Sequence, residues 1–255
     1  MNPLRTRPAV DLTVTTRGEV TLAAPDYART KLLNVIERLH EPVLAARVKL
    51  TQEPHHTVTK PSIAQATIDL NGRPVRAHVA AATMQEAIDL LQERLRARIE
   101  RVRAHGHHVR HPERFAAGRE HRPQRREPAG EEHRIVRHKS YALGRRTSWE
   151  AVFELELMDY DFHLYTDAAT GDDRVVRHDG ATGTYRIASA GAPPEAEPGI
   201  SVSTRAVPEL TVSEAALRLD LGGLPFVFFI EAGTGRGNVL YHRYDGHFGL
   251  ITPAR

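Results

Sequence analysis

The sequence contains no cysteine. Disulfides, thiolate nucleophiles and cysteine-bound zinc are thereby excluded. No apolar run approaches the roughly 18 residues that cross a bilayer, and the opening MNPLRTRPAVDLTV lacks the apolar core of a signal peptide. The expectation is a cytoplasmic protein with no membrane partner. Aromatic residues are scarce in the first part: Tyr27 is the only one between residues 1 and 110. That speaks against modules that stack bases on sheet aromatics. GTGRG at 233–237 is glycine-rich, but no Gly-Lys-Ser/Thr follows it, so it reads as a turn and not as a phosphate loop. No triad-like or paired-carboxylate arrangement stands out. The chain is expected to have no catalytic residues, no small-molecule substrate and no cofactor.

Charge is present but unevenly placed. Residues 1–110 carry 17 Lys+Arg against 11 Asp+Glu, a net +6; residues 111–133 balance at 5 against 5; residues 134–255 carry 13 against 16, a net −3. A local cationic excess attracts polyanions, of which nucleic acid is the commonest, although a solvated basic face gives the same count. Much of the excess lies in RLRARIERVRAH at 94–105, with arginine at 94, 96, 98, 101 and 103.

The first hundred residues read as strand, helix, three strands, helix. AVDLTVTT at 9–16 alternates, with Val10, Leu12 and Val14 on one face. PDYARTKLLNVIERL at 25–39 spaces Ala28, Leu32, Val35, Ile36 and Leu39 as a helix does, with Pro25 near its start. ARVKLT at 46–51 alternates again. Two further alternating runs flank Asn71-Gly72, a strong short hairpin signal because both residues tolerate positive φ. Thr83 and Glu86 have capping-box spacing, and the stripe Met84, Ile88, Leu91, Leu95, Ile99, Val102 runs unbroken through the arginine-rich stretch. This makes the stretch the end of a helix, closed by Gly106. The arginines flank a buried seam at the helix C-terminus, where the dipole favours cations. One-sided alternation implies an α+β domain with both helices on one face of a four-stranded, mostly antiparallel sheet. The opposite face carries Thr13, Thr15, Lys49, Thr67, Arg76 and His78.

Residues 1–105 are therefore expected to form one domain. Residues 106–133, rich in Pro, Gly, Arg, His and Glu and without periodicity, read as a flexible linker; about thirty residues span roughly 30 Å as a coil and at most about 100 Å extended. HGHHVRH at 105–111 has histidines but neither cysteines nor an ordered scaffold, so no metal site is assigned. The remainder holds an internal repeat. TSWEAVFELELMDYDFHLYTDAATG at 147–171 aligns with TVSEAALRLDLGGLPFVFFIEAGTG at 211–235, offset by 64 residues. Each copy has a Thr-x-x-Glu capping box, a short helix, an aromatic strand and a Thr-Gly turn. The copies are placed at 134–190 and 199–255, as small β-rich domains with one short helix each. Units of this size bury little of their own surface, and this half holds twelve of the fourteen Phe and Tyr plus Trp149. Phe162, Tyr165, Phe226, Phe228, Tyr241 and Phe248 are candidates for a surface on which the repeats pair.

These features resemble the ribosome hibernation promoting factors, also called ribosome-associated inhibitors. The βαβββα domain ending in TMQEAIDLLQERLRARIERVR carries the likeness in order and charge. RIVRHKSYALGRRTSWEAVFELELMDYDFHLY at 134–165 and TGRGNVLYHRYDGHFGLITP at 234–253 resemble the C-terminal domain of their long form. The resemblance implies binding to the small ribosomal subunit and its rRNA at the decoding centre of the whole ribosome. The mRNA path and the A- and P-site tRNAs would be occluded, and translation silenced reversibly under stress. Lys31, Arg94, Arg101 and Arg103 match basic positions of the family, and Arg96 or Arg98 could substitute for the base that family members often have at Ala97. Family C-terminal domains pair between chains and join two ribosomes. This sequence departs by having two copies in tandem, the first ending in TYRIASAG at 184–191 in place of the YGLIxP-like close. A tethered partner has millimolar effective concentration, so the copies are expected to pair with each other and leave ribosomes single. Pairing with a second copy of the chain, a generic binder of structured RNA, and a metal-linked enzyme are the alternatives.

Overall fold

The computed structural model describes residues 10–54, 59–105, 123, 134–180 and 182–254. They fall into two compact units. One contains the described residues up to His105 together with Leu157–Asp159; the other contains the described residues from Arg134 onward except those three.

The first unit is an α+β layer pair. β1 (Leu12–Arg17) leads through α1 (Ala24–Ile36) to β2 (Val43–Gln52), β3 (Ser62–Leu70), β4 (Arg73–Ala81) and α2 (Met84–His105). The sheet runs β1-β2-β3-β4. β1 and β2 are parallel, because α1 carries the chain back across the sheet, and the other two pairings are antiparallel. Asn71 and Gly72 turn the β3–β4 hairpin with φ of 53° and 84°, the mirror-image turn whose twist suits the strands. Gly18 follows β1 at φ 76°, and a Cβ there would stand 2.1 Å from the Gln52 carbonyl oxygen, so only glycine fits. Ala46, Val48, Leu50, Ala64, Ala66 and Ile68 point to the helices and are buried. α1 adds Ala28, Leu32 and Val35, and α2 adds Ile88, Leu91, Leu95 and Ile99; each fully buried aliphatic side chain of this size contributes about 1.5–3 kcal/mol. At the start of α2 the Thr83 Oγ1 accepts from the Glu86 N–H, while the Glu86 carboxylate accepts from the Ala82 N–H. The cap is thus formed one residue off the reciprocal pattern.

The second unit is built from the two repeats. β5 (Ile135–Tyr141) and β6 (Arg145–Arg146) precede α3 (Ser148–Leu157), β7 (Phe162–Asp167), β8 (Asp173–Asp179) and β9 (Thr184–Ser189). β10 (Ile200–Val202) and β11 (Glu209–Leu210) precede α4 (Val212–Leu221), β12 (Phe226–Glu231), β13 (Gly237–His242) and β14 (Phe248–Pro253). α4 has the complete reciprocal cap between Thr211 and Glu214, and Thr147 and Glu150 form the same bonds at α3. The two sheets have the orders β10-β9-β8-β7-β6 and β11-β12-β13-β14-β5. β5, which opens the first repeat, thus pairs in parallel with β14 at the end of the second. β10, its counterpart 64 residues on, pairs in parallel with β9 at the end of the first. Each repeat completes the other's sheet.

Alternation along the strands sorts the apolar residues. One face of the first sheet, with Tyr165, Val176, Tyr185 and Ile187, packs on Ala151, Val152 and Leu155 of α3. One face of the second, with Val227, Phe229, Leu240, Phe248 and Leu250, packs on Ala215 and Leu219 of α4. The remaining faces contribute Leu164 and Val175 from the first sheet, and Phe228 and Val239 from the second, to one shared cluster. The layers therefore run helix, sheet, sheet, helix.

Candidate nucleic-acid interface

The arginines of α2 divide by environment. Arg98 is buried and Arg94 nearly so. Both donate to Oδ1 of Asp159, at 2.6 Å and 2.8 Å, and Oδ2 of the same carboxylate accepts from the His78 N–H at 2.9 Å. Asp159 adopts φ 52°, a backbone region that non-glycine residues enter at a cost of order 1–2 kcal/mol. Its counterpart 64 residues on is Gly223, with φ 55°. The same turn thus recurs with glycine where no carboxylate is used.

Arg96 and Arg101 are half-buried and Arg103 is exposed. The Arg103 guanidinium forms a two-pronged ion pair with Glu41, its Nε donating to Oε1 at 2.7 Å. That pair holds the Glu41 carboxyl down at about 2, chiefly through the hydrogen bond from Arg103. Lys31 on α1 sits 2.6 Å from Asp89 and over the Tyr27 ring, and the hydrogen bond to Asp89 pushes its pKa above the ordinary lysine value. Tyr27 is thus occupied with α1–α2 contacts, its hydroxyl donating to Asp89.

Five of the six predicted contact residues share α2, with Lys31 beside it on α1. Arg96, Arg101 and Arg103, the last paired with Glu41, form the more accessible part, whereas Arg94 and Arg98 are held on the buried Asp159. The open face of the sheet adds Arg47 and Lys49, both exposed, and Arg76, whose guanidinium donates to Gln65. The alternation in ARVKLT already places Arg47 and Lys49 on one face, a signal passed over in favour of the denser helix. His78 was expected on that polar face and is buried.

The six aromatic candidates also divide. Phe162 lies 4.6 Å from Phe226 and 5.5 Å from Tyr241 between ring centroids, and Phe228 belongs to the cluster shared by the two sheets. Tyr165 and Phe248 lie instead in the separate cores under α3 and α4. Strand parity is the reason: Tyr165 is an odd number of residues from Phe162 and faces the other way. Burial pushes the Tyr165 hydroxyl up to about 12. A polar tie stands beside the shared cluster. Asp173 accepts from Arg236 Nε at 2.7 Å and from the Gly237 N–H at 2.9 Å, joining equivalent ends of β8 and β13. Arg236 belongs to the glycine-rich turn, so the turn contributes to packing between repeats.

The histidine run at 105–111 lies, apart from the backbone of His105, outside the described residues. Among the described residues no group of three or more His, Asp or Glu is placed to hold a metal ion, and no helix is long and apolar enough to cross a membrane.

Residues 12–106 match the family model described as sigma 54 modulation protein / S30EA ribosomal protein. Residues 130–186 and 200–250 each match the model of the sigma 54 modulation/S30EA ribosomal protein C terminus. The chain belongs to the S30EA family. Within it, the C-terminal module occurs here twice. A relative from Mycobacterium tuberculosis named dormancy associated translation inhibitor is 35% identical over 218 residues, covering 82% of this chain and 76% of that protein. The ribosome hibernation promotion factor of Bradyrhizobium diazoefficiens is 41% identical over 54 residues, covering 21% of this chain and 27% of that one. Among solved structures, the N-terminal domain of Thermus thermophilus Protein Y is 26% identical, with a TM-score of 0.30, covering 36% of this chain and 97% of that one.

Proposed function

We propose that this S30EA protein is a non-enzymatic ribosome hibernation factor. Its N-terminal domain binds the small subunit at the decoding centre, occludes mRNA and the A- and P-site tRNAs, and silences translation reversibly. Recognition is mostly electrostatic, with arginines on a rigid helix meeting rRNA phosphates. The observation that carries this reading is α2: a helix fixed by Ile88, Leu91, Leu95 and Ile99 in the core, with Arg96, Arg101 and Arg103 at least partly exposed along it, in the segment that matches the S30EA model. The names of the relatives, a translation inhibitor and a hibernation promotion factor, support it.

The same reading assigns the protein to single ribosomes. What favours this over joining two ribosomes is the reciprocal completion of sheets by β5 and β10 and the shared cluster around Phe228, which satisfy the pairing surface inside one chain. The test is sedimentation of ribosomes with purified protein through a gradient. The expected result is the protein on single ribosomes, competing with mRNA for the small subunit. Ribosome pairs bridged by the protein would overturn the single-ribosome assignment, and binding to free RNA without any subunit would overturn the reading as a whole.

A further inference from the structure

β5 has a property its place in the fold does not require. Among the described residues it is an edge strand of its sheet, next to β14. Its structural duty is the one β10 performs in the other sheet. Over equivalent positions, β10 and its flanks carry Gly199, Ser201, Val202 and Ser203, where β5 and its flank carry Arg134, Arg137, His138 and Lys139. Pairing of this strand therefore does not need cations. The apolar residues differ in the same sense: Ile200, opposite Tyr185, is 5% exposed, whereas Ile135, in the equivalent place opposite Phe248, is 39% exposed, and Val136, at the register shift beside it, is 51% exposed. Neither β5 nor β14 contains an Asp or Glu, and the side chains of Arg134 and Arg137 form no ion pair among the described residues. Arg137 and Lys139 lie two residues apart on one face, roughly 7 Å at strand rise. His138 is positioned by a 3.0 Å contact between its Nε2 and the Thr252 hydroxyl.

We propose that the outer edge of β5 is a second rRNA-binding surface, gripping phosphates through Arg134, Arg137 and Lys139 with the exposed Ile135 and Val136 against sugar or base faces. This inference rests on the hibernation reading and adds an anchor to it, separate in sequence from α2. An unpaired strand edge also offers backbone N–H groups, which take part in phosphate contacts elsewhere. The competing explanation is protection of a bare edge against self-association, for which charge, lysine above all, is a known device.

The experiment uses the full chain and purified small subunits, with affinity measured across a salt series. Arg134→Gln, Arg137→Gln and Lys139→Gln combined are expected to weaken binding at least about ten-fold and to lower the magnitude of the salt slope by roughly 2 to 3. Arg137→Lys and Lys139→Arg, which keep the charge, are expected to bind like the parent. A photo-crosslinking residue at Val136 is expected to capture rRNA. A neutralised variant that binds like the parent, with or without new self-association, overturns the proposal, as does crosslinking confined to protein. If the neutralised variant does not fold, the crosslink decides. The α2 variant Arg96→Gln/Arg101→Gln/Arg103→Gln separates the two readings. Loss of binding there with none at β5 sinks the second anchor alone, and no loss in either sinks the hibernation reading with it.

Discussion

Neutralising α2 in two halves is expected to give two different phenotypes. In the first variant Arg96, Arg101 and Arg103 become glutamine. None of the three is fully buried, and the Glu41 partner of Arg103 is itself partly exposed, so losing that pair should change the folded state by no more than about 1 kcal/mol. If each guanidinium meets one phosphate, the salt slope of binding falls in magnitude by about 0.7–0.9 per contact, roughly 2 to 3 in all. At about 1 kcal/mol per contact the affinity falls on the order of a hundred-fold. In the second variant Arg94 and Arg98 become glutamine. Their shared partner Asp159 is almost wholly buried, with its side chain 1% exposed. Removing the counter-charge leaves a carboxylate in low dielectric, a loss of about 3–5 kcal/mol. Denaturant melts and subunit binding across 50–200 mM salt separate the two. The reasoning fails if the outer trio melts early with an unchanged slope, or if the inner pair binds weakly with no loss of stability.

Three other outcomes follow from the same geometry. Asp159→Ala removes the acceptor shared by Arg94, Arg98 and the His78 N–H, and its denaturation midpoint should fall by the equivalent of about 3 kcal/mol; a midpoint within 0.5 kcal/mol would refute the burial argument. Glu41, held at about 2 in the folded chain, has its pKa depressed, so its contribution is present above the ordinary glutamate value and is lost as pH falls through the folded value, a window of roughly pH 4.5 to 2. Carboxyl NMR should show this low midpoint, and Arg103→Gln, which removes the largest cause, should raise it toward the ordinary value. Phe228→Ala opens the cluster between the sheets and should cost about 3–5 kcal/mol by chemical denaturation, whereas a change under 1 kcal/mol would show the cluster to be loosely packed.

Local signals predicted local structure well. The Asn71-Gly72 hairpin, the capping residues Thr83, Thr147 and Thr211, and the unbroken phase of α2 were all legible, because each depends on residues within one turn or one hairpin. The 64-residue repeat was legible too, and it predicts equivalent elements. It does not predict which sheet a strand joins. Alternation says that β5 and β10 have two faces and is silent about which strand lies beside them, whether about fifteen positions back, as for β10, or more than a hundred on, as for β5. The division of the α2 arginines was hidden for the same reason, since the residue that occupies Arg94 and Arg98 lies some sixty positions on, at Asp159. Tyr165 lies in the core under α3, because strand parity turns it away from Phe162, whereas Phe248 sends its ring under α4 while its backbone pairs with Ile135 of the first repeat. Arg47 and Lys49 were visible as a pair and were outweighed by the denser helix.

The exchange of β5 and β10 also sets a timetable for synthesis. β5 leaves the ribosome more than 100 residues ahead of β14, the strand it pairs with. At about 5–20 residues per second the early strand waits roughly 5–20 s for its mate. A prematurely terminated chain would leave the second sheet open and β5 without its mate. Only a chain made through Pro253 can close both sheets, so assembly of these two sheets doubles as a check that synthesis has passed β14.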